Sequence, residues 1–161
     1  MFKLFSRKVK AEIVVPVSGK LVKITDVKDD IFSQKMMGDG FAVIPSGDTA
    51  EIVAPIDAEI IMIPETKHAV GLKSKQGLEI LIHIGLDTVN LNGKGFELLV
   101  NQGDKVTKNQ PLIKIKPDFF EKQGYDPTTI VVFTKGFDRE IVPVPEYGSL
   151  INAGEVVLES L

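Results

Sequence analysis

Short apolar runs, many of them β-branched, are cut apart by Gly, Pro and Asp at short and fairly regular spacing, and helical periodicity is scarce. This punctuation leaves no room for long amphipathic helices. It points to an all-β fold, an antiparallel sandwich or barrel with one or two short helical turns. The runs expected to be strands are residues 12–17, 20–24, 41–46, 50–54, 58–63, 69–73, 78–84, 112–115, 129–133 and 155–158. Helix is expected at residues 117–123, ended by Gly124, with a further turn near residues 88–90.

Hydrophobic residues make up 43% of the 161, enough for a real core, and no low-complexity linker divides the chain. A single domain over residues 11–161 is therefore expected. Residues 1–10 mix Phe2, Leu4 and Phe5 with Lys3, Arg7, Lys8 and Lys10. They read as a flexible N-terminal tail, with a short anchor for anionic lipid as the second reading. No apolar run reaches the ~18–20 residues of a membrane-spanning helix. The first residues also lack the long apolar stretch and small-residue cleavage site of a secretory signal, so a cytoplasmic location is expected.

Charge and composition remove several function classes. Nineteen Lys and Arg stand against 22 Asp and Glu, a net charge of −3, which argues against nucleic-acid binding through bulk positive charge. Cysteine is absent, so disulfide frameworks, thiol catalysis, iron–sulfur clusters and cysteine-bound zinc are excluded. A weak internal echo is present: Pro16-Val17-Ser18-Gly19-Lys20-Leu21 resembles Pro55-Ile56-Asp57-Ala58-Glu59-Ile60, and Gly103-Asp104-Lys105-Val106 resembles Gly154-Glu155-Val156-Val157. Each repeat suits a tight turn feeding a strand, as in two similar half-barrels.

The chain has two histidines, His68 and His83, in neighbouring strand-like runs separated by Ser74-Lys75-Gln76-Gly77, a hairpin signal. If Lys73 pairs with Leu78, the two histidines lie directly opposite each other. A tighter turn at Gln76-Gly77 leaves them one diagonal step apart on the same face. Leu78, Ile80, Ile82 and Ile84 form an alternating apolar stripe that should face the core, which sends Leu81 and His83 to the outer face. Val70, Leu72 and Leu81 are then expected to border the pair there. An apolar border around a polar pair reads as a docking surface; the bland alternative is a satisfied histidine inside a second core layer.

Two opposed imidazoles suit phosphoryl chemistry. A neutral imidazole is a nucleophile near pH 7, and a second can donate N–H to phosphoryl oxygens as charge develops. A zinc-dependent hydrolase is the alternative, with Asp87 as the nearest third ligand. The chain holds no His-x-His and no His-Glu-x-x-His. A biotinyl- or lipoyl-type carrier with Lys35 modified, and a purely structural β-domain, are two further alternatives.

The stretch Leu81-Ile82-His83-Ile84-Gly85-Leu86-Asp87-Thr88-Val89, continuing to Leu91-Asn92-Gly93-Lys94-Gly95-Phe96, resembles the signature around the active histidine of the glucose-family enzyme IIA. That family supplies phosphocarriers of the bacterial phosphoenolpyruvate-dependent sugar phosphotransferase system. Lys35-Met36-Met37-Gly38-Asp39-Gly40, Ala54-Pro55-Ile56-Asp57-Ala58 and Thr66-Lys67-His68-Ala69 are similar to further segments of it. The resemblance runs from about Ala11 to the C-terminus and is most specific from Ile31 to Phe96.

It implies an antiparallel β-sandwich or barrel of the duplicated hybrid-motif type. It implies that His83 takes a phosphoryl group on Nε2 from phospho-HPr and passes it to a cysteine on the IIB domain of a sugar permease. His68 would stabilise the phosphoryl group, Thr66 would orient His68, the Gly85 carbonyl would hold the His83 ring, and Asp87 would shape the field that meets basic partners. Ile31, Phe32, Met36, Met37, Leu81 and Val89 would form an apolar collar for partners. Asp30 stands where the family often has an apolar residue. The resemblance further implies a free-standing IIA monomer that needs no cofactor or metal and meets the membrane only through its permease.

Overall fold

The structure is a computed structural model describing residues 12–159. The expected tail, residues 1–10, lies outside the described residues. In chain order the strands are β1 (Ile13–Val14), β2 (Gly19–Lys23), β3 (Asp39–Ile44), β4 (Ala50–Val53), β5 (Ala58–Met62), β6 (Ala69–Lys73) and β7 (Glu79–Ile84). They continue with β8 (Phe96–Leu98), β9 (Lys105–Val106), β10 (Pro111–Ile115), β11 (Thr129–Lys135), β12 (Leu150–Ile151) and β13 (Val156–Leu158). Among the described residues, helix is confined to α1 (Asp30–Ser33), α2 (Pro117–Lys122) and 3-10 turns at Ile24–Asp26 and Thr88–Leu91.

All strand pairings are antiparallel. Eight strands form one sheet in the order β12-β2-β3-β11-β7-β6-β5-β9, β4-β10-β8 form a second, and β1 pairs with β13. The main core lies between these layers. Leu21, Phe41, Ile60, Leu72, Ile80 and Ile82 of the large sheet pack in one cluster with Ile52, Phe96, Ile113 and Ile115 of the small one. The all-β sandwich is therefore as expected, as are α2, with Pro117 opening it, and the turn at residues 88–91. Strands β8 and β12 and helix α1 were not foreseen, and β9 was expected only as the strand fed by the Gly103-led turn. β9 and β12 are only two residues long, too short to show any alternation.

The half-barrel echo is visible as paired hydrogen bonds. Val14 N donates to the Pro55 carbonyl and Val53 N to the Pro16 carbonyl, at 3.0 and 2.7 Å, so the two Pro-led turns brace each other reciprocally. The second echo needs correction. Gly103 and Asp104 bracket Ile60 by backbone bonds, as Gly148 and Ser149 bracket Leu21. Asn109 and Gln110 bracket Ala54, as Gly154 and Glu155 bracket Val15. The partner of Gly103 is thus Gly148, and the partner of Gly154 is Asn109, which shares its left-handed backbone with φ 75° against 94°. Matching Gly to Gly misaligned the repeats, because an asparagine occupies one of the left-handed positions.

The large sheet also carries a small second core on its outer face. Ala42, Ile130 and Val132 pack there with Ile24, Val27 and Leu86, and Phe32 of α1 closes over them. Asp29 caps α1, its Oδ1 accepting from Ile31 N at 2.9 Å. The apolar rows on both faces of β3 and β11 keep residues 40–43 and 129–133 buried, so α1 has a surface to sit on even at four residues.

Candidate functional site

The β6–β7 hairpin places the two histidines, but not in the expected register. His83 pairs with Ala69, Val70 with Ile82, Leu72 with Ile80 and Lys73 with Glu79. The reason lies in the turn. Ser74 N donates to the Leu78 carbonyl, Gly77 N to the Ser74 carbonyl, and Gly77 takes φ 91°, so the loop has three residues with glycine at its left-handed position. An odd loop shifts the pairing by one step from both even-loop registers. Val70 and Leu72 consequently face the main core and are fully buried, rather than bordering the histidines. Ala69 and Gly71 take the outer face beside His83 and Leu81.

By alternation alone this register would separate His68 from His83. The two meet because His68 stands just outside β6. Lys67 adopts a left-handed backbone, φ 62°, which turns the chain out of the pleat before the strand begins. The Ile84 N–H still holds the His68 carbonyl at 2.7 Å. The His68 and His83 rings end with centroids 5.1 Å apart and planes at 81°. Thr66 Oγ1 lies 2.7 Å from Nδ1 of His68, fixing that ring from behind.

His83 is more strongly desolvated than its partner. The Phe32 ring lies 4.9 Å from it, tilted by 52°. Burial, chiefly, together with the neighbouring His68 holds the His83 pKa down from 6.5 to about 4. The Gly85 backbone, Asp29 and Asp87 oppose that shift. The Gly85 effect has the sign a carbonyl oxygen produces, since an acceptor favours the protonated ring. No group meets full hydrogen-bonding geometry at His83 Nδ1, which is buried. Burial also lowers the His68 pKa. Both rings are therefore neutral at pH 7, with a nucleophilic lone pair on His83.

After Ile84 the chain leaves the sheet through two left-handed residues, Gly85 (φ 79°) and Asp87 (φ 60°). A Cβ on Gly85 would stand 2.4 Å from the Thr88 methyl and 3.1 Å from the Asp126 carbonyl, so only glycine fits. Gly85 N and Leu86 N donate to the carbonyls of Thr128 and Asp126, both at 2.9 Å. The buried Thr88 hydroxyl donates to the Ile84 carbonyl.

The remaining expected site residues form the rim. Ile31, Met36, Met37 and Val89 are exposed, on and after α1 and on the 3-10 turn, while Leu81 is half-buried against the second core. Phe32 differs from these in being buried against His83. Asp29 was not singled out from sequence, although its carboxylate acts on His83. The signal available was an Asp immediately before a short apolar helix, its N-cap position. Among the described residues, no group of three or more His, Cys, Asp or Glu side chains is arranged to hold a metal ion, so Asp87 does not complete a zinc site with the histidines.

The chain matches, over residues 11–138, the sequence family described as phosphoenolpyruvate-dependent sugar phosphotransferase system, EIIA 1. It is 38% identical over 148 residues to the glucose-specific EIIA component of Staphylococcus epidermidis, covering 92% of this chain and 88% of that protein. It is 41% identical over 146 residues to the glucose-specific EIICBA component of Staphylococcus carnosus, covering 91% of this chain but only 21% of that longer protein. It is 46% identical over 131 residues to the glucoside-specific EIICBA component of the same organism, covering 81% of this chain and 19% of the relative. The chain thus spans about a fifth of these two relatives. Among solved structures, the glucose permease IIA of Mycoplasma capricolum superposes with a TM-score of 0.82 at 29% identity, covering 99% of both chains.

Proposed function

The chain belongs to the EIIA 1 family of the phosphoenolpyruvate-dependent sugar phosphotransferase system, and from that membership we propose that it is a cytoplasmic histidine phosphocarrier serving sugar uptake. His83 Nε2 attacks the phosphorus of phospho-HPr. The P–N bond to the donor histidine breaks as the bond to Nε2 forms; the donor ring, protonated on its other nitrogen, leaves as neutral imidazole, and His83 becomes the Nδ1-protonated phosphoimidazolium. The phosphoryl group then passes to the cysteine of a permease IIB domain, which returns His83 to its neutral form.

The observation that carries this reading is the meeting of the chain's two histidines, 5.1 Å apart, with His83 neutral at pH 7 and His68 backed by Thr66. When Thr66 donates its O–H to Nδ1 of His68, the His68 proton sits on Nε2. That N–H then binds a phosphoryl oxygen as negative charge builds. A carbonyl at Gly85 would favour Nδ1–H on His83 and so leave the Nε2 lone pair free for attack. Asp29 and Asp87 supply negative charge that steers basic surfaces of partners toward the site. The exposed Ile31, Met36, Met37 and Val89 give an adaptable apolar rim that two different partners can share. The chain acts as a monomer in this reading, with each transfer made in a transient complex.

The test is phosphorylation of the purified protein by phosphoenolpyruvate, Enzyme I and HPr. An acid-labile, base-stable phosphate on His83 is expected. His83→Gln should abolish acceptance, and His68→Gln should accept phosphate but pass it on poorly. Labelling of His83→Gln would overturn the choice of nucleophile.

A further inference from the structure

Thr88 belongs to none of the roles assigned above, yet it is fully buried at the point where the segments carrying both histidines are joined. That joint is Ile84. Its N–H holds the His68 carbonyl at 2.7 Å, and its carbonyl accepts the Thr88 hydroxyl. Ile84 is the last residue of β7, so its carbonyl would otherwise be a buried acceptor left without a sheet partner, a costly state. The Thr88 methyl fills the space beside Gly85 in which no Cβ could stand. One side chain thus contacts the turn twice, by hydrogen bond on one side of Gly85 and by packing on Gly85 itself.

We propose that Thr88 is a positioning residue for His83: its hydroxyl, closed on the Ile84 carbonyl, locks the left-handed turn that brings the Gly85 backbone to the imidazole and so selects the tautomer with a free Nε2. The inference rests on the carrier reading only for the use made of that nitrogen. The geometry supplies the rest. The turn has a second brace at Thr128 and Asp126, which holds Gly85 N and Leu86 N. That brace leaves the Ile84 carbonyl untouched, so Thr88 alone fixes the peptide between Ile84 and Gly85 from its oxygen side. The Gly85 backbone bears on the His83 ring, whose buried Nδ1 meets full hydrogen-bonding geometry with no group among the described residues. Loss of the Thr88 hydroxyl leaves the Ile84 carbonyl unpaired, and the peptide rotates to find another donor. The Gly85 backbone then moves off the ring, and His83 shifts its proton to Nε2, the nitrogen that must attack.

The experiment compares Thr88→Val and Thr88→Ala, which lack the hydroxyl, with Thr88→Ser, which keeps it. Ring 15N shifts of His83 report the tautomer, and single-turnover phosphorylation by phospho-HPr reports the chemistry. In the wild type, Nε2 should show the shift of an unprotonated nitrogen. In Thr88→Val and Thr88→Ala it should move toward the protonated value, with acceptance slowed by roughly ten- to a hundredfold, and Thr88→Ser should restore both. A folded Thr88→Val with the wild-type tautomer would overturn the proposal, as would a Thr88→Ser as altered as Thr88→Val. If Thr88→Val fails to fold, the comparison of Thr88→Ala with Thr88→Ser decides by the same two readouts. The tautomer is read without any phosphoryl transfer. A wild type that accepts no phosphate would therefore sink the carrier reading while Thr88 is still judged.

Discussion

Thr66 Oγ1 and His68 Nδ1 lie 2.7 Å apart, and they do so across a residue, Lys67, whose backbone is left-handed. The bend at Lys67 puts the hydroxyl against Nδ1 and leaves Nε2 clear of that contact. Removing the hydroxyl frees the ring to exchange tautomers, and only the Nε2–H form can donate to a phosphoryl group. Thr66→Val should slow phosphoryl transfer by roughly tenfold, the worth of one hydrogen bond expressed as a rate. Thr66→Ser should recover most of it. A Thr66→Val variant that transfers at the wild-type rate would show that His68 is oriented by other contacts.

The low His83 pKa makes stability depend on pH. The folded value is about 4 and the ordinary value 6.5, so between these the unfolded chain binds a proton that the folded chain refuses. This contribution is fully favourable above pH 6.5 and is lost as pH falls through about 4. The total loss is roughly 3 kcal/mol, and His68 acts in the same direction. Carboxylates titrate in the same window, so the comparison must be with His83→Gln. Urea denaturation should show wild type losing more stability than His83→Gln between pH 7 and pH 4.5. Equal losses would mean that His83 protonates freely in the folded state.

Much of this arrangement was legible in the sequence, and the parts that were not share a physical cause. The stripe Ile80, Ile82 and Ile84 announced which face of β7 is buried, because alternation is a property of the strand itself. The register with β6 was not announced, because it depends on how many residues Ser74-Lys75-Gln76-Gly77 commits to the turn. Gly77 at the left-handed position of a three-residue loop fits that sequence as well as the even loops do. His68 and His83 were expected to meet through cross-strand pairing. They meet instead because Lys67 breaks the pleat, which no side-chain pattern encodes. Helix α1 escaped notice for a related reason: four residues are too few for a period, and what holds Phe32 is the outer face of β3, β7 and β11 brought together by the fold.

Phe32 both stabilises the second core and keeps water from His83. Phe32→Ala should cost about 3 kcal/mol, the low end for a buried aromatic because the cluster is small and near the surface. Burial is the largest cause of the lowered His83 pKa, so opening this side should raise the NMR titration midpoint from about 4 toward 6.5. An unchanged midpoint would place the desolvating surface elsewhere, on the β6 side of the ring.

Two glycines separate backbone preference from close approach. Gly77 and Gly85 have φ of 91° and 79°, but a Cβ on Gly77 meets nothing within 4 Å, while one on Gly85 meets Thr88 at 2.4 Å. Gly77→Ala should cost about 1 kcal/mol, the ordinary penalty for a left-handed alanine. Gly85→Ala should cost about 2 kcal/mol more, since Thr88 and the turn must shift. It should also disturb the ring signals of His83. Equal costs for the two substitutions would mean that the turn after β7 yields easily, which its buried hydrogen bonds argue against.

Met36 tests the rim without touching the fold. It is 69% exposed, so Met36→Glu should change stability by no more than about 0.5 kcal/mol. At a partner interface the same change introduces a carboxylate that must be desolvated against an apolar surface, a cost that outweighs the steering gained from one more negative charge near Asp29 and Asp87. The rate of phosphorylation at low phospho-HPr concentration should fall by roughly tenfold, the equivalent of about 1.4 kcal/mol of docking free energy. The rate at saturating donor should change little, because Met36 does not act on His83. Met36→Leu, close in volume and apolar, should bind as the wild type does. If Met36→Glu accepts phosphate normally at every donor concentration, partners approach the histidines from the Val89 side and leave the end of α1 uncovered.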